Sequence, residues 1–132
     1  MAKMDMKEKL SLLWIFVTFN YAYADLTSLF DPSLMSEVAG GTAGTLQMTP
    51  TLLFVGAIIM EIAIVMIVLS RILKYKANRI ANIIAGAIKT VIIVASMFVG
   101  TPTLYYTFFA SIEIACTSLI VWYAWKWTEQ EV

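Results

Sequence analysis

Residues 52–73 read LLFVGAIIMEIAIVMIVLSRIL, an apolar run broken by one carboxylate, Glu61, before it reaches Ser70 and Arg71. At 1.5 Å per residue a helix of about 20 residues spans the roughly 30 Å hydrocarbon core of a bilayer, and this run has that length. Three more runs of similar length surround it: Leu10 to Phe30, Ile80 to Gly100 and Thr103 to Trp127. Hydrophobic residues make up 61% of the 132, well above the share in ordinary soluble domains. A soluble chain this short could not bury so much apolar surface. The expectation is an all-α, four-transmembrane-helix bundle in a single membrane domain. Its helices fall at approximately 10–30, 50–73, 79–100 and 102–127.

Punctuation sets those limits. Asp31-Pro32 closes the first run, while Thr49-Pro50 and Thr101-Pro102 each put a capping threonine before a proline in the first helical turn. Residues 31–49, with Gly40, Gly41 and Gly44, read as the one long loop. Lys3, Lys7 and Lys9 before an apolar stretch, followed by Ala22-Tyr23-Ala24, have the outline of a secretory signal peptide. The expectation here is that the segment is retained as a helix.

Lysine and arginine placement gives orientation. Lys3, Lys7 and Lys9 precede the first run, Arg71, Lys74, Lys76 and Arg79 fill the link between the second and third, and Lys126 ends the fourth. The other two connections carry neither residue type. Both termini are therefore expected in the cytoplasm (N-in/C-in), with the 31–49 loop outside. Trp14, Trp122, Trp125 and Trp127 would form an aromatic belt on the cytoplasmic side of a multi-pass protein of the cell (inner, cytoplasmic) membrane.

Counting from the helix ends puts Asn20, Glu61, Lys89 and Glu113 at nearly one depth, with Asp25 a turn further out. A charge at a helix centre costs about 2.5 to 3.5 kcal/mol on the insertion scale; the second helix is apolar enough to carry Glu61, but the first and third are marginal, so Lys89 and Asp25 are expected to face the bundle interior. Lys89 beside Glu61 or Glu113 is the expected pairing. Trp14, Thr18, Tyr21, Asp25 and Ser28 share one face of the first helix. Asn82, Gly86, Lys89, Ile93 and Ser96 form a stripe on the third, and Glu113 and Thr117 lie a turn apart on the fourth, with Tyr106 two turns above. The candidate buried polar site is Asn20, Tyr21, Asp25, Glu61, Lys89, Glu113 and Tyr106. Three carboxylates against one lysine would leave excess negative charge in low dielectric, so a bound proton or cation is expected there. The competing reading makes the lysine–glutamate pair structural glue that fixes helix register.

Absences narrow the field. Zero net charge argues against a nucleic-acid partner, one cysteine excludes an internal disulfide, and the lack of histidine removes the commonest metal ligand. The eight methionines show no ligand spacing, so no cofactor, metal or catalytic residue is assigned.

Several segments together carry a resemblance. They are Leu13-Trp14-Ile15-Phe16 through Asn20-Tyr21-Ala22-Tyr23-Ala24-Asp25, Arg71 to Arg79, Ala81-Asn82-Ile83-Ile84-Ala85-Gly86, Tyr105-Tyr106-Thr107-Phe108-Phe109 with Glu113, and Trp122 to Trp127. On these the chain resembles an uncharacterised family of short bacterial four-helix membrane proteins, itself similar to the DoxX-like group. That resemblance implies the fold and brings no activity. DoxX-like proteins are linked to redox and quinone-related complexes, and no redox motif here matches them. The leading functional expectation is a small transporter or small-molecule or lipid-binding protein built on the midplane site. Its alternatives are a non-catalytic subunit or scaffold, and an intramembrane enzyme on a lipid-soluble substrate, against which the lack of a nucleophile–base pair weighs. Expected partners are membrane lipids and a homo-oligomer or larger membrane complex.

Overall fold

The computed structural model describes residues 4–43, 46–98 and 102–128. Within them the chain forms five helices and one small hairpin: α1 (Met6–Ser28), α2 (Pro32–Ala39), β1 (Thr42–Ala43), β2 (Leu46–Gln47), α3 (Pro50–Ile72), α4 (Tyr75–Ser96) and α5 (Leu104–Lys126). Three of them, α3, α4 and α5, are long and apolar enough to cross a membrane, which points to a membrane protein. α1 matches α3 in length, but Asn20, Asp25 and its tyrosines dilute its apolar content, and it is not among the three.

Helix starts follow the side chains that can satisfy the first free N–H groups. Asp5 accepts from Glu8 N at 3.1 Å, and Thr49, ahead of Pro50, accepts from Leu52 N at 3.1 Å. α5 begins later than its proline suggested. Its cap is Thr103, which accepts from Tyr106 N at 3.3 Å; Thr101 lies outside the described residues, as do Lys3, Gly44 and Gly100.

Two boundaries correct the sequence reading. The first run closes before Asp31-Pro32 as expected, α1 ending at Ser28, but the pair also opens a helix: Asp31 caps α2, accepting from Ser33 N and Leu34 N with Pro32 in the first turn, so the expected loop is partly helical. The glycines then act as expected, Gly40 ending α2 and Gly41 taking a φ of 92° that leads into the hairpin. At the other link, α4 begins at Tyr75 rather than at residue 79, because lysine and arginine are good helix formers that extend their charges to solvent.

The four long helices pack with α1 against both α3 and α5, α4 against α5, and α3 more loosely against α4. The start of α1, the end of α3, the start of α4 and the end of α5 meet at one end. There Lys9 sits 4.9 Å over the Tyr123 ring, and Arg71 Nε donates to Ser11 Oγ at 3.0 Å. Arg79 donates to the Ala124 and Trp125 carbonyls, each at 3.0 Å. These last bonds satisfy carbonyls that a helix C-terminus leaves free. The basic residues therefore cluster at this basic end.

The core is lopsided. Leu10, Trp14, Val17, Ile120 and Trp127 bury themselves in the half nearer the basic end. In the other half burial stops at Tyr21, Ala63, Ile93 and Ala110, beyond which no described residue of the long helices is buried. The helices thus close tightly at the basic end and present a thinner core at the opposite one.

Candidate functional site

A hydrogen-bonded polar network fills the closed half. Trp14 Nε1 donates to Asn82 Oδ1 at 2.7 Å, and Ser70 Oγ reaches the same oxygen at 3.3 Å. Asn82 Nδ2 donates to Asn78 O at 2.9 Å and to Asn78 Oδ1 at 2.7 Å, while Asn78 Nδ2 donates to the carbonyls of Ser70 and Leu73. Trp14, Ser70, Asn78 and Asn82 are all fully buried. With donors matched to acceptors, this network rigidifies the end of the bundle and offers no vacant chemistry.

About two turns along α4 the pattern changes. Lys89 is 2% exposed and Glu113 7%, yet they make no direct ion pair. Lys89 Nζ instead donates to the Ile59 carbonyl across the loose α3–α4 contact at 3.2 Å, and lies 4.1 Å above the centroid of the Tyr21 ring. The ring face attracts the ammonium through its quadrupole. Charges acting on Lys89 come from Glu113 first and from Asp25 second. Among the described residues four buried side-chain atoms have no hydrogen-bond partner: Glu113 Oε2, Tyr21 Oη, Thr18 Oγ1 a turn before Tyr21 on α1, and Trp127 Nε1 at the basic end. Thr117, a turn from Glu113, bonds back to the Glu113 carbonyl at 3.0 Å and meets Thr90 Oγ1 at 2.7 Å. Buried polar atoms are nearly always satisfied, so Glu113, Tyr21 and Thr18 hold hydrogen-bonding capacity that the chain itself does not use. They lie where the packed half of the bundle ends.

A protein-family model described as a family of unknown function (DUF6326) matches residues 2–132. The chain belongs to that family. No curated protein and no solved structure matches it. What is established is membership in DUF6326; a DoxX-like grouping and a bacterial source receive no support from these matches.

The DUF6326 chain brings together fewer of the expected site residues than depth alone implied. Tyr21, Lys89 and Glu113 converge. Glu61 does not: it is exposed, on the side of α3 opposite Ala63, Met66 and Ser70, so the expected Lys89–Glu61 pairing is absent. Asn20 is half-buried on the outer surface, donating to Phe16 O at 3.1 Å and lining a groove with Phe19, Tyr23 and Phe109. Asp25 is exposed where the helices open, although its charge still acts on Lys89. Tyr106 pairs with Ser96 near the far ends of α4 and α5, away from Lys89. The expected excess of negative charge therefore disappears, since the interior holds one lysine against one glutamate.

Trp14 also moves. It belongs to the interior rather than to an interfacial belt, and Trp127 is buried too, which leaves Trp122 and Trp125 exposed. Among the described residues no group of three or more Cys, Asp or Glu side chains gathers as a metal would require.

Proposed function

We propose that this protein is a small four-span membrane transporter or solute-binding protein whose site is Lys89, Glu113 and Tyr21. Both termini and the basic end face the cytoplasm. α1 serves as the fourth span, with Asn20 and Asp25 as the polar groups that lower its hydropathy. The placement of Lys7, Lys9, Arg71, Lys74, Lys76, Arg79 and Lys126 supports this orientation in a cell membrane.

The observation that carries the reading is a buried ammonium and a buried carboxyl that act on each other without a direct ion pair, with buried Glu113, Tyr21 and Thr18 oxygens that accept or donate no hydrogen bond within the chain. Structural glue would be expected to close such a pair directly, since burying charge without a partner is costly. Here the Glu113 oxygen accepts, the Tyr21 and Thr18 hydroxyls donate or accept, and the Lys89 ammonium has hydrogens beyond the one given to Ile59. A small polar solute entering past Asp25 from the open half would meet all four. The Trp14–Asn82 network seals the path below it. Ionisable residues inside a membrane commonly mark such pathways.

Thermal stability of the detergent-purified protein from about pH 5 to 9 tests the site, because a titrating interior group couples folding to proton binding. The wild type is expected to give a sloped profile. Glu113→Gln and Lys89→Met should each flatten it, while Tyr21→Phe, which keeps the ring over Lys89, should preserve most of it. A wild-type profile already flat, with large losses of stability in both variants, would make the pair purely structural.

A further inference from the structure

Two features of the outer surface remain unused by the interior site, and they complement each other. Phe54, Ile58, Glu61, Val65 and Val68 follow a 4-3-4-3 step along α3 and are all exposed, forming an apolar ridge with a carboxylate at its centre. Among the described residues Glu61 has no hydrogen-bond or ion-pair partner. α3 is the most apolar helix, with a mean hydropathy of 2.9. A carboxyl facing hydrocarbon from its middle is unfavourable, and such residues almost always face protein or water.

Across the molecule, between α1 and α5, runs a groove of about 450 Å³ lined by Leu12, Phe16, Phe19, Asn20, Tyr23 and Phe109. Its walls are apolar except at Asn20, whose amide gives one hydrogen to Phe16 O and keeps the second free. Depth matches as well. Ser11 Oγ donates to Ile67 O at 2.9 Å, which fixes those two positions at one height. Asn20 lies nine residues beyond Ser11 and Glu61 six beyond Ile67, a difference in height of about 4.5 Å. Side chains lean toward the N-terminus of their own helix, so Glu61 leans away from the basic end and Asn20 toward it, which closes the gap.

We propose that the α3 ridge of one copy seats in the α1–α5 groove of a second copy, with Glu61 accepting a hydrogen bond from Asn20 across the interface. The contact is heterologous, because the ridge and the groove are different surfaces of the same chain, and repetition would close a ring. It gives the carboxylate a protein partner, and it fills an apolar groove with an apolar ridge. It does not depend on the reading of Lys89 and Glu113.

Co-expression of two differently tagged copies tests the contact. One carries Val65→Cys and the other Phe16→Cys, each four residues toward the basic end from Glu61 and Asn20 so that the proposed bond stays intact, both with Cys116→Ala, and the membranes are oxidised with copper phenanthroline. The expected product is a disulfide between the two tags, roughly tenfold over either same-tag product and over a Val91→Cys control on α4. A dominant Val65→Cys self-product would replace this contact with a symmetric α3–α3 one. A mixed product no stronger than the control would leave the groove to lipid, and either result overturns the proposal. In lipid nanodiscs, Glu61→Gln should keep the oligomer and Glu61→Leu should dissociate it; a Leu variant as oligomeric as wild type would remove Glu61 from the interface.

Discussion

Substituting Asn82 asks whether polar bonding or apolar packing holds the closed half of the bundle. Asn82 is fully buried and serves three neighbours, accepting from Trp14 and Ser70 and donating to Asn78. Asn82→Leu keeps much of the volume but leaves the Trp14 N–H, the Ser70 hydroxyl and Asn78 Oδ1 without that partner. Each orphaned buried group costs about 1–3 kcal/mol, so the lower bound for three is about 3 kcal/mol, reduced by whatever the leucine gains in packing. Interhelical hydrogen bonds in membrane proteins are weaker on average, about 0.6 kcal/mol with a maximum near 1.7, because the unfolded chain in the membrane finds other partners. The Trp14–Asn82 bond should lie near that maximum, being short at 2.7 Å with both residues at zero exposure. A double-mutant cycle of Asn82→Leu with Trp14→Phe, followed by far-UV circular dichroism during unfolding in mixed micelles, should yield a coupling of about 1–1.7 kcal/mol. A coupling below about 0.3 kcal/mol, or an Asn82→Leu variant as stable as wild type, would refute the reasoning and assign the seal to apolar packing alone.

Two further outcomes follow from local geometry. A Cβ on Gly86 would stand 2.7 Å from Val121 Cγ2 and 3.3 Å from the Thr117 carbonyl, so Gly86→Ala should push α4 from α5 and cost about 1–3 kcal/mol in the same unfolding assay; no loss would show that the contact yields. Asp31 is held below the usual carboxylate range first by the Tyr105 hydroxyl, which donates to it at 2.8 Å, and then by the Leu34 and Ser33 N–H groups. A depressed folded pKa stabilises at pH above the unfolded value of about 3.9 and loses that contribution as pH falls through the folded pKa, so the first turn of α2 should fray in acid. Tyr105→Phe should move the Asp31 carboxyl titration, followed by NMR, to higher pH; an unmoved midpoint would dissociate Tyr105 from the effect.

The fold was legible where one physical demand acts alone. An apolar run of bilayer length must be helical because lipid offers the backbone no hydrogen bonds, and the long helices fell close to where hydropathy put them. The cap at Thr49-Pro50 was read correctly because it stood before such a run. Asp31-Pro32 carries the same cap signal, but no apolar run follows it, and a helix of eight residues leaves no hydropathy trace.

The site was legible to a different degree on each helix, for a reason the helices themselves display. Depth along a helix can be counted, but the direction a residue faces needs a contrast between polar and apolar sides. On α4, Asn82, Gly86 and Lys89 stand out against isoleucine and valine, and the stripe was found with its inward face. On α3, isoleucine, valine, leucine and methionine surround the axis, so Glu61 showed its height and nothing of its azimuth. Depth alone groups it with Lys89 as a candidate partner, although α3 is apolar enough to carry an outward carboxyl. Asn20 likewise enters the candidate site on depth alone, since it lies off the Trp14–Tyr21–Asp25 stripe of its own helix. Both are polar groups at nearly one depth on the outside, where a neighbouring molecule can satisfy them as well as the bundle interior could. Glu61 and Asn20, outward-facing at nearly matching depth, each with hydrogen-bonding capacity to spare, are thus a reason to look for a second chain.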